Sequence, residues 1–294
     1  MIIYDKILDE ELLHNFKADS NNEKDMFLLE GLVVDEYKKT VRLTDETDDG
    51  IDFSNKRYIH YKYRLDDNLV NVISIFKRTA LEGELRDIDG NPFIYALKEK
   101  DGWKFDITDE QIIHYIRRFL EICNTIDKKY DTIVVVPSSH DINARFMKVI
   151  AERVEAKDCI ADMFMKSTKQ SALESIELDE IWEYCEDKYP ANSVQYNADR
   201  IVREIKRAFQ KMDGKYFEAK KVPKEYIRFI KEIVSYREGF SVKDAYDKLA
   251  GKSVLVLDDT ISTGASISAC VRTINTFGPK KLDVITLLSK KFKK

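Results

Sequence analysis

The sequence predicts an α/β fold with a parallel twisted sheet, a helical insertion and a small acidic N-terminal region. Two strand–helix–strand units predict the sheet, because strands that alternate with helices usually pair in parallel. The first unit starts with the apolar, β-branched run Thr132–Val136, and the second starts with Val254–Leu257. Uninterrupted apolar runs of this kind are typical of strands that are buried on both faces of a sheet.

The first part of the chain differs in composition from the rest. Residues 1–54 hold 15 Asp and Glu against 6 Lys and Arg, which predicts a cap or subdomain apart from a larger domain at 55–294. In that larger domain, apolar and polar residues alternate over Arg57–Leu65 and predict a strand. The apolar residues between 69 and 76 recur at helical spacing, so we expect an amphipathic helix that ends at Lys77.

The remaining elements follow in chain order. A turn at Asn91-Pro92 precedes Phe93–Leu97. The first unit is predicted to comprise a helix near Gln111–Cys123, the strand Thr132–Val136, a helix near Ile142–Val154 and a strand near Cys159–Met165. The insertion, at about 171–243, is predicted to hold helices at Ile176–Cys185, Ala198–Met212 and Lys224–Arg237. The second unit continues with a helix that carries Ile267, Val271 and Ile274 and with a strand at Leu282–Leu288.

The segment from Val254 to Ser266 carries the clearest chemical signal. Asp258 and Asp259 follow the strand at its carboxyl end, which is where ligands of open α/β sheets bind. Adjacent carboxylates are good hydrogen-bond acceptors for a cis-diol. The loop that follows offers hydroxyls and backbone N–H groups at a helix N-terminus, which favours a phosphate, and Gly264 lets the backbone approach it closely. A diol site beside a phosphate site describes a ribose 5-phosphate.

Other interpretations of the segment account for less of it. An apolar strand before two acids also fits the Walker B motif of P-loop NTPases. The chain has no G-x-x-x-x-G-K-[ST] motif, however, and Gly251-Lys252-Ser253 precedes the strand instead of following it. A phosphatase with a D-x-D motif would need its acids two residues apart. An ordinary strand with a capped helix leaves the acid pair unexplained.

This segment resembles the phosphoribosyl-pyrophosphate motif of type I phosphoribosyltransferases. The resemblance extends to the ComF-like branch of that family through Tyr61 to Lys77, Val135-Val136-Pro137 and Lys166 to Leu173. It implies the sheet of that family, binding of 5-phosphoribosyl-1-pyrophosphate (PRPP), and Mg²⁺ as the cofactor. It covers about residues 55–294 and is specific at 253–266.

The resemblance also implies roles for single residues. Asp258 and Asp259 are the implied catalytic and metal-binding residues, which hold the ribose hydroxyls directly or through Mg²⁺. The implied substrate-binding residues are Thr260, Ile261, Ser262, Thr263, Gly264 and Ser266 around the 5-phosphate, and Ser138, Ser139 and Lys77 near the pyrophosphate. The turn from Pro137 to His140 lies where the pyrophosphate loop of the family is expected.

Three functions remain open from the sequence. The first is a Mg²⁺-dependent transferase that moves phosphoribose to a nitrogenous base. The second is a non-catalytic module that binds PRPP or a nucleotide and regulates a protein partner through the helical insertion or the acidic N-terminal region. The third is a ComF-like, nucleic-acid-linked factor, suggested by the lysine-rich last residues. Related domains often form homodimers.

The sequence also carries information on where the protein is located and on the state of its cysteines. No apolar run reaches the length of a membrane span, and residues 1–25 lack the pattern of a secretory signal, so we expect a cytoplasmic protein without membrane contact. The four cysteines form no C-x-x-C pair and are expected to be reduced thiols without zinc.

Overall fold

The computed structural model describes residues 31–44, 50–65, 68–79, 91–138, 140–261 and 263–290. These residues form the strands β1 (Gly31–Asp35), β2 (Thr40–Thr44), β3 (Ile51–Asp52), β4 (Ile59–Leu65), β5 (Asn68–Arg78), β6 (Lys104–Phe105), β7 (Thr132–Val135), β8 (Asp158–Ile160), β9 (Phe164–Lys166), β10 (Val234–Tyr236), β11 (Ser253–Thr260) and β12 (Lys281–Leu288). They also form the helices α1 (Pro92–Leu97), α2 (Asp109–Asn124), α3 (Ile142–Arg153), α4 (Lys169–Glu174), α5 (Leu178–Lys188), α6 (Val194–Gln210), α7 (Val242–Leu249) and α8 (Ala265–Asn275). Short 3-10 helices lie at Lys100–Gly102, Ala191–Ser193, Ala219–Lys221 and Lys224–Phe229. Within these ranges, no helix has both the length and the apolar character needed to cross a membrane.

The main sheet is the centre of the fold. Its strands lie in the order β3-β5-β12-β11-β7-β8, and β4 also pairs with β5. The neighbours from β5 to β8 are parallel, whereas β3 and β4 run antiparallel to β5. Helices connect the parallel strands, so the predicted α/β class is confirmed. The sheet is mixed at one edge, however, and not parallel throughout.

The register of the sheet brings two loops together. In β11, Leu257 lies opposite Val135 of β7 on one side and Ile285 of β12 on the other. The four residues Val254–Leu257 are fully buried, as expected for a central strand with both faces covered. The loops that follow β7 and β11 therefore leave the same edge of the sheet side by side.

The predicted helix at residues 69–76 is wrong, because these residues form β5. Val72, Ile73, Ile75 and Phe76 are completely buried, on both faces of a strand that has β12 on one side and β4 on the other. A strand buried on both faces does not alternate apolar and polar residues, so its apolar positions include pairs at helical spacing. Lys77 therefore lies near the end of a strand, and the ComF-like pattern of a tyrosine followed by an amphipathic helix is not present.

Two further boundaries differ from the sequence prediction. Residues 224–237 form a 3-10 helix followed by β10 instead of one helix, since Ile227, Ile230 and Ile233 all turn into the core of the insertion. The predicted strand Cys159–Met165 is divided, because a bend at 161–163 separates β8 in the main sheet from β9, which pairs with β10. The other predicted helices, now α2, α3, α5, α6 and α8, are confirmed within a few residues.

The described part of the acidic N-terminal region packs against the sheet. Strands β1, β2 and β6 form a small three-stranded sheet. Leu32 and Val41 of this sheet belong to the same buried cluster as Phe53, Phe76 and Phe93. Residues 31–44 and 50–54 thus share one core with the main sheet, to which aromatic edge-to-face contacts such as Phe53 with Phe76 contribute (centroids 4.7 Å apart).

A buried acid anchors β12 at the amino-terminal end of the parallel strands. Asp283 is completely buried and accepts hydrogen bonds from the Tyr130 hydroxyl (2.6 Å) and the Asn71 amide (3.0 Å). Lys281 Nζ lies 2.9 Å from the same carboxylate. Burial works to raise the pKa of Asp283, but these three partners outweigh it and hold the pKa below its usual value. The one acid among the last lysines is therefore a structural residue.

Candidate active site

A cavity of about 480 Å³ opens at the carboxyl ends of β7 and β11. Its walls come from several parts of the chain: the loops after these two strands, the region of α1, the end of β5, strand β9 and the helical insertion. The lining residues are Arg78, Asn91, Ile94, Tyr95, Lys98, Lys100, Val136, Pro137, Ser138, Lys166, 214–219, Ile233, Asp258, Asp259, Thr260, Thr263 and Ser266.

The acid pair lies in one wall, where β11 leaves the sheet. The Asn143 side chain, near the start of α3, donates to Asp258 Oδ1 (3.0 Å) and to the Val136 carbonyl (3.1 Å). Asp258 Oδ1 also accepts from the backbone N–H of Asp259 (2.9 Å). These bonds tie the acid to both strands β7 and β11 and fix its rotamer, so the carboxylate is pre-positioned for a ligand.

The charges of the two acids are not equivalent. Burial raises the pKa of Asp258 to about 7, the charge of Asp259 adds to this rise, and Lys98 and the Asn143 amide oppose it. Asp259 forms an ion pair with Lys98, in which the side chains are only 9% and 15% exposed. The site thus holds two adjacent carboxylates, one of which already has a cationic partner.

A second group of charges faces the acids. Burial and the charge of Lys98 lower the pKa of Lys166 on β9, and the charges of Asp258 and Asp259 partly offset this. The pKa of His140 is lowered by burial and by the charges of Lys98 and Lys100. Lys98, Lys100 and Lys166 line the cavity together with the two acids, whereas His140 lines a smaller pocket that shares Lys98. The cavity therefore combines an acidic wall with a basic one.

The loop after β11 has the features of a phosphate site. Thr260, Thr263 and Ser266 line the cavity at the N-terminus of α8, where helix N–H groups favour an anion. The Thr260 hydroxyl is buried and finds no hydrogen-bond partner among the described residues. Buried hydroxyls usually have a hydrogen-bond partner, so the Thr260 hydroxyl has bonding capacity that a ligand could use.

Gly264 has a packing role in addition to the predicted one. Its φ of +78° lies in the left-handed region, where glycine is favoured. A Cβ atom at this position would lie 3.0 Å from Leu65 Cδ2 and 3.3 Å from Tyr63 Cε1 on strand β4. The absence of a side chain is therefore required by the close approach of β4, independently of any ligand.

The other predicted residues are distributed differently. Ser138 lines the cavity, whereas Ser139 and Ser262 lie outside the described residues. The Ile261 side chain is buried in the hydrophobic core, so only its backbone could serve a ligand. Lys77 Nζ lies 3.8 Å from an Asp52 oxygen, and the residue is not among those that line the cavity.

Sequence reasoning missed the residues that come from distant parts of the chain. Lys98 follows α1 and lies 160 residues before Asp258, so no local motif contains it. The loop at 214–219 belongs to the predicted insertion and forms a wall of the cavity together with Tyr95. Only the Asn91-Pro92 pair could have indicated the start of α1 from the sequence. In the structure Asn91 accepts a hydrogen bond from the Phe93 N–H (2.9 Å), and Pro92 occupies the first turn.

A comparison with known families agrees with this geometry. Residues 196–294 match the model of the phosphoribosyl transferase domain, and this part of the chain contains β11, the acid pair, α8 and β12. The predicted resemblance to type I phosphoribosyltransferases is thereby confirmed for residues 196–294. The ComF-like branch is not confirmed. No curated protein matches the chain significantly.

The donor set can be compared with what Mg²⁺ requires. This ion takes oxygen ligands, keeps several waters, and is usually held by one or two carboxylates together with phosphates of the substrate. Asp258 and Asp259 supply two such carboxylates at the cavity. Among the described residues, no group of three or more metal-binding side chains is assembled. The pair therefore fits a magnesium ion that is held largely by its ligand and by water.

Proposed function

We propose that the cavity binds PRPP and that the protein transfers its phosphoribosyl group to a nitrogenous-base acceptor with Mg²⁺ as the cofactor. The observation that carries this proposal is that the acid pair and the phosphate loop line one wall of a single cavity, while lysines line another. A ribose with a phosphate at C5 and a diphosphate at C1 has groups of matching charge and spacing for such walls.

Each part of the ligand has candidate partners in the cavity. Asp258 and Asp259 would accept hydrogen bonds from the ribose hydroxyls at C2 and C3. Thr260, Thr263 and Ser266, together with the N-terminus of α8, would bind the 5-phosphate. Mg²⁺, where bound by the two acids and by ligand oxygens, would offset the negative charge of the diphosphate.

Transfer breaks the bond between C1 and the pyrophosphate oxygen and forms a bond from C1 to a nitrogen of the acceptor. The transition state carries positive charge on the ribose ring, so electrostatics and positioning account for catalysis. Carboxylates at the ribose hydroxyls hold the ring in place and lie close enough to favour that charge. The Asn143 hydrogen bonds restrict the motion of Asp258 and reduce the reorganisation this requires.

The acceptor would enter from the side of the cavity formed by α1 and the insertion. Tyr95 and Tyr216 both line this part, and the Tyr216 side chain is partly exposed. Aromatic rings suit a planar base, because stacking contributes about 1–3 kcal/mol per base. These walls come from outside the strand–loop–helix motif, so they would set specificity without changing how PRPP is held.

A second candidate function is a PRPP or nucleotide sensor. It is favoured by the turn from Pro137 to Asp141, which has no glycine and only one histidine where a transferase holds pyrophosphate. Binding of ligand needs ground-state affinity alone, whereas transfer needs extra stabilisation as pyrophosphate leaves. A sensor would signal through the insertion, whose core includes Ala265 and Ala269 of α8.

Release of pyrophosphate separates the two functions. We expect pyrophosphate when the protein is incubated with PRPP, Mg²⁺ and a panel of purines, pyrimidines and nicotinate. Asp258→Asn should abolish the release, while the exposed Asp199→Asn, with the same change of charge on α6, should not. Tight PRPP binding without release across the panel would support the sensor, and no binding would contradict both functions.

A further inference from the structure

We propose that Lys98 is a built-in cation for the acid pair, which allows the cavity to bind a diphosphate without a divalent metal and competes with that metal for Asp259. This inference rests on the proposed function. It concerns a residue that lies outside the part of the chain matched by the family model, at 196–294.

The position of Lys98 is fixed by its surroundings. It caps the C-terminus of α1, and its N–H donates to the Ile94 carbonyl (3.0 Å). Helix α1 is itself anchored, since Phe93 and Ile94 are buried in the main core and Asn91 caps its start. The ammonium is therefore held at Asp259 by a packed element and not by a freely moving surface loop.

The Lys98 ammonium resembles a bound metal ion in two respects. It contacts an Asp259 carboxylate oxygen directly, and both side chains are largely buried. It also lines the same cavity as Asp258 and Lys166, and its charge acts on both of them. A buried cation in contact with Asp259 offsets one of the negative charges that a divalent ion would otherwise offset.

Two consequences follow for binding. A diphosphate that enters the cavity offers Lys98 an alternative partner, so Lys98 and Lys166 can bind it in the absence of metal. A divalent ion, in contrast, has to displace the Lys98 ammonium from Asp259 before it can bind both carboxylates. Lys98→Met keeps the length of the side chain and removes the charge. It should therefore weaken the binding of diphosphate without metal and strengthen the binding of the divalent ion to both carboxylates.

Calorimetry with inorganic pyrophosphate tests the first consequence on the full chain. Wild-type protein should bind pyrophosphate in EDTA, and Lys98→Met should lose about tenfold in affinity there, or about 1.4 kcal/mol. With Mg²⁺ present, that loss should disappear, because the metal ion no longer has to displace the Lys98 ammonium from Asp259. Lys206→Met is the matched control, because Lys206 is exposed on α6 and is not among the residues that line the cavity, so it should change the affinity little.

Asp259, the ion-pair partner of Lys98, gives an independent test in case Lys98→Met does not fold. Thermal unfolding would reveal such a failure. Asp259→Asn should keep pyrophosphate binding in EDTA, since Lys98 remains, and should lose the response to Mg²⁺. The inference is overturned if wild-type protein binds no pyrophosphate in EDTA, if Lys98→Met loses equally with and without Mg²⁺, or if Asp259→Asn loses binding in EDTA.

A parallel experiment keeps this outcome apart from the proposed function. Ribose 5-phosphate has no diphosphate, so its protection of wild-type protein against thermal unfolding depends on the acid pair and the phosphate loop. Protection by ribose 5-phosphate together with a failure of the pyrophosphate experiments would overturn the role of Lys98 alone. Absence of protection would count against the ribose-phosphate site itself.

Discussion

Replacement of Gly264 by alanine should destabilise the protein by about 2–5 kcal/mol, and the structure separates two causes. A residue with a side chain in the left-handed region costs about 1–2 kcal/mol. The new Cβ would lie 3.0 Å from Leu65 Cδ2, which is tighter than most real Cβ contacts, and the shift of the Leu65 and Tyr63 side chains adds about 1–3 kcal/mol. The Gly264 position is thus limited by packing as well as by backbone conformation.

Gly251→Ala is the matched control, because it has the first cause without the second. Its φ is +67°, and a Cβ there would meet nothing within 4 Å. Urea unfolding of both variants should show that Gly264→Ala loses at least about 1 kcal/mol more than Gly251→Ala, at unchanged m-value. Equal losses in the two variants would refute the claim that β4 excludes a side chain at Gly264.

Three further predictions address the sheet and the cavity. Asp283→Asn should destabilise the protein by about 2–3 kcal/mol in urea unfolding at neutral pH. Because the folded-state pKa of Asp283 is lowered, this difference in stability should be lost as the pH falls through that lowered pKa. A difference that persists at low pH would contradict the structural role of the Asp283 carboxylate. Thr260→Val should leave the stability of the free protein unchanged or slightly higher, since the hydroxyl has no partner among the described residues. The variant should nevertheless be protected less by ribose 5-phosphate in thermal unfolding. Undiminished protection would show that the hydroxyl does not bind the phosphate. Tyr216→Ala should raise KM for the acceptor base while PRPP affinity in calorimetry stays the same, and an equal loss of both would contradict the placement of the acceptor.

The strand–loop–helix unit could be predicted from the sequence because all of its determinants are local. An apolar β-branched run predicts β11, the acids mark its carboxyl end, and Gly264 begins α8. Each signal lies within a few residues of the next, so no knowledge of tertiary contacts is needed. The same holds for α2 and α6, whose apolar faces recur at helical spacing.

The parts that could not be predicted depend on contacts between distant residues. Whether residues 69–76 form a helix or a strand is decided by β12 and β4, which cover β5 on its two sides. The partner of Asp259 is Lys98, which reaches it only because α1 packs on the core next to the sheet. Neither contact leaves a periodic signal near the residues concerned.

The central claim is that the acid pair and the phosphate loop hold the two ends of one phosphoribosyl group. A crystal structure of the protein soaked with PRPP and Mg²⁺ tests this most directly. We predict that 5-phosphate oxygens lie within about 3 Å of the Thr260, Thr263 and Ser266 side chains, and the C2 and C3 hydroxyls within about 3 Å of Asp258 and Asp259. Density for PRPP outside this cavity, or a ribose whose hydroxyls face away from both acids, would contradict the proposed function.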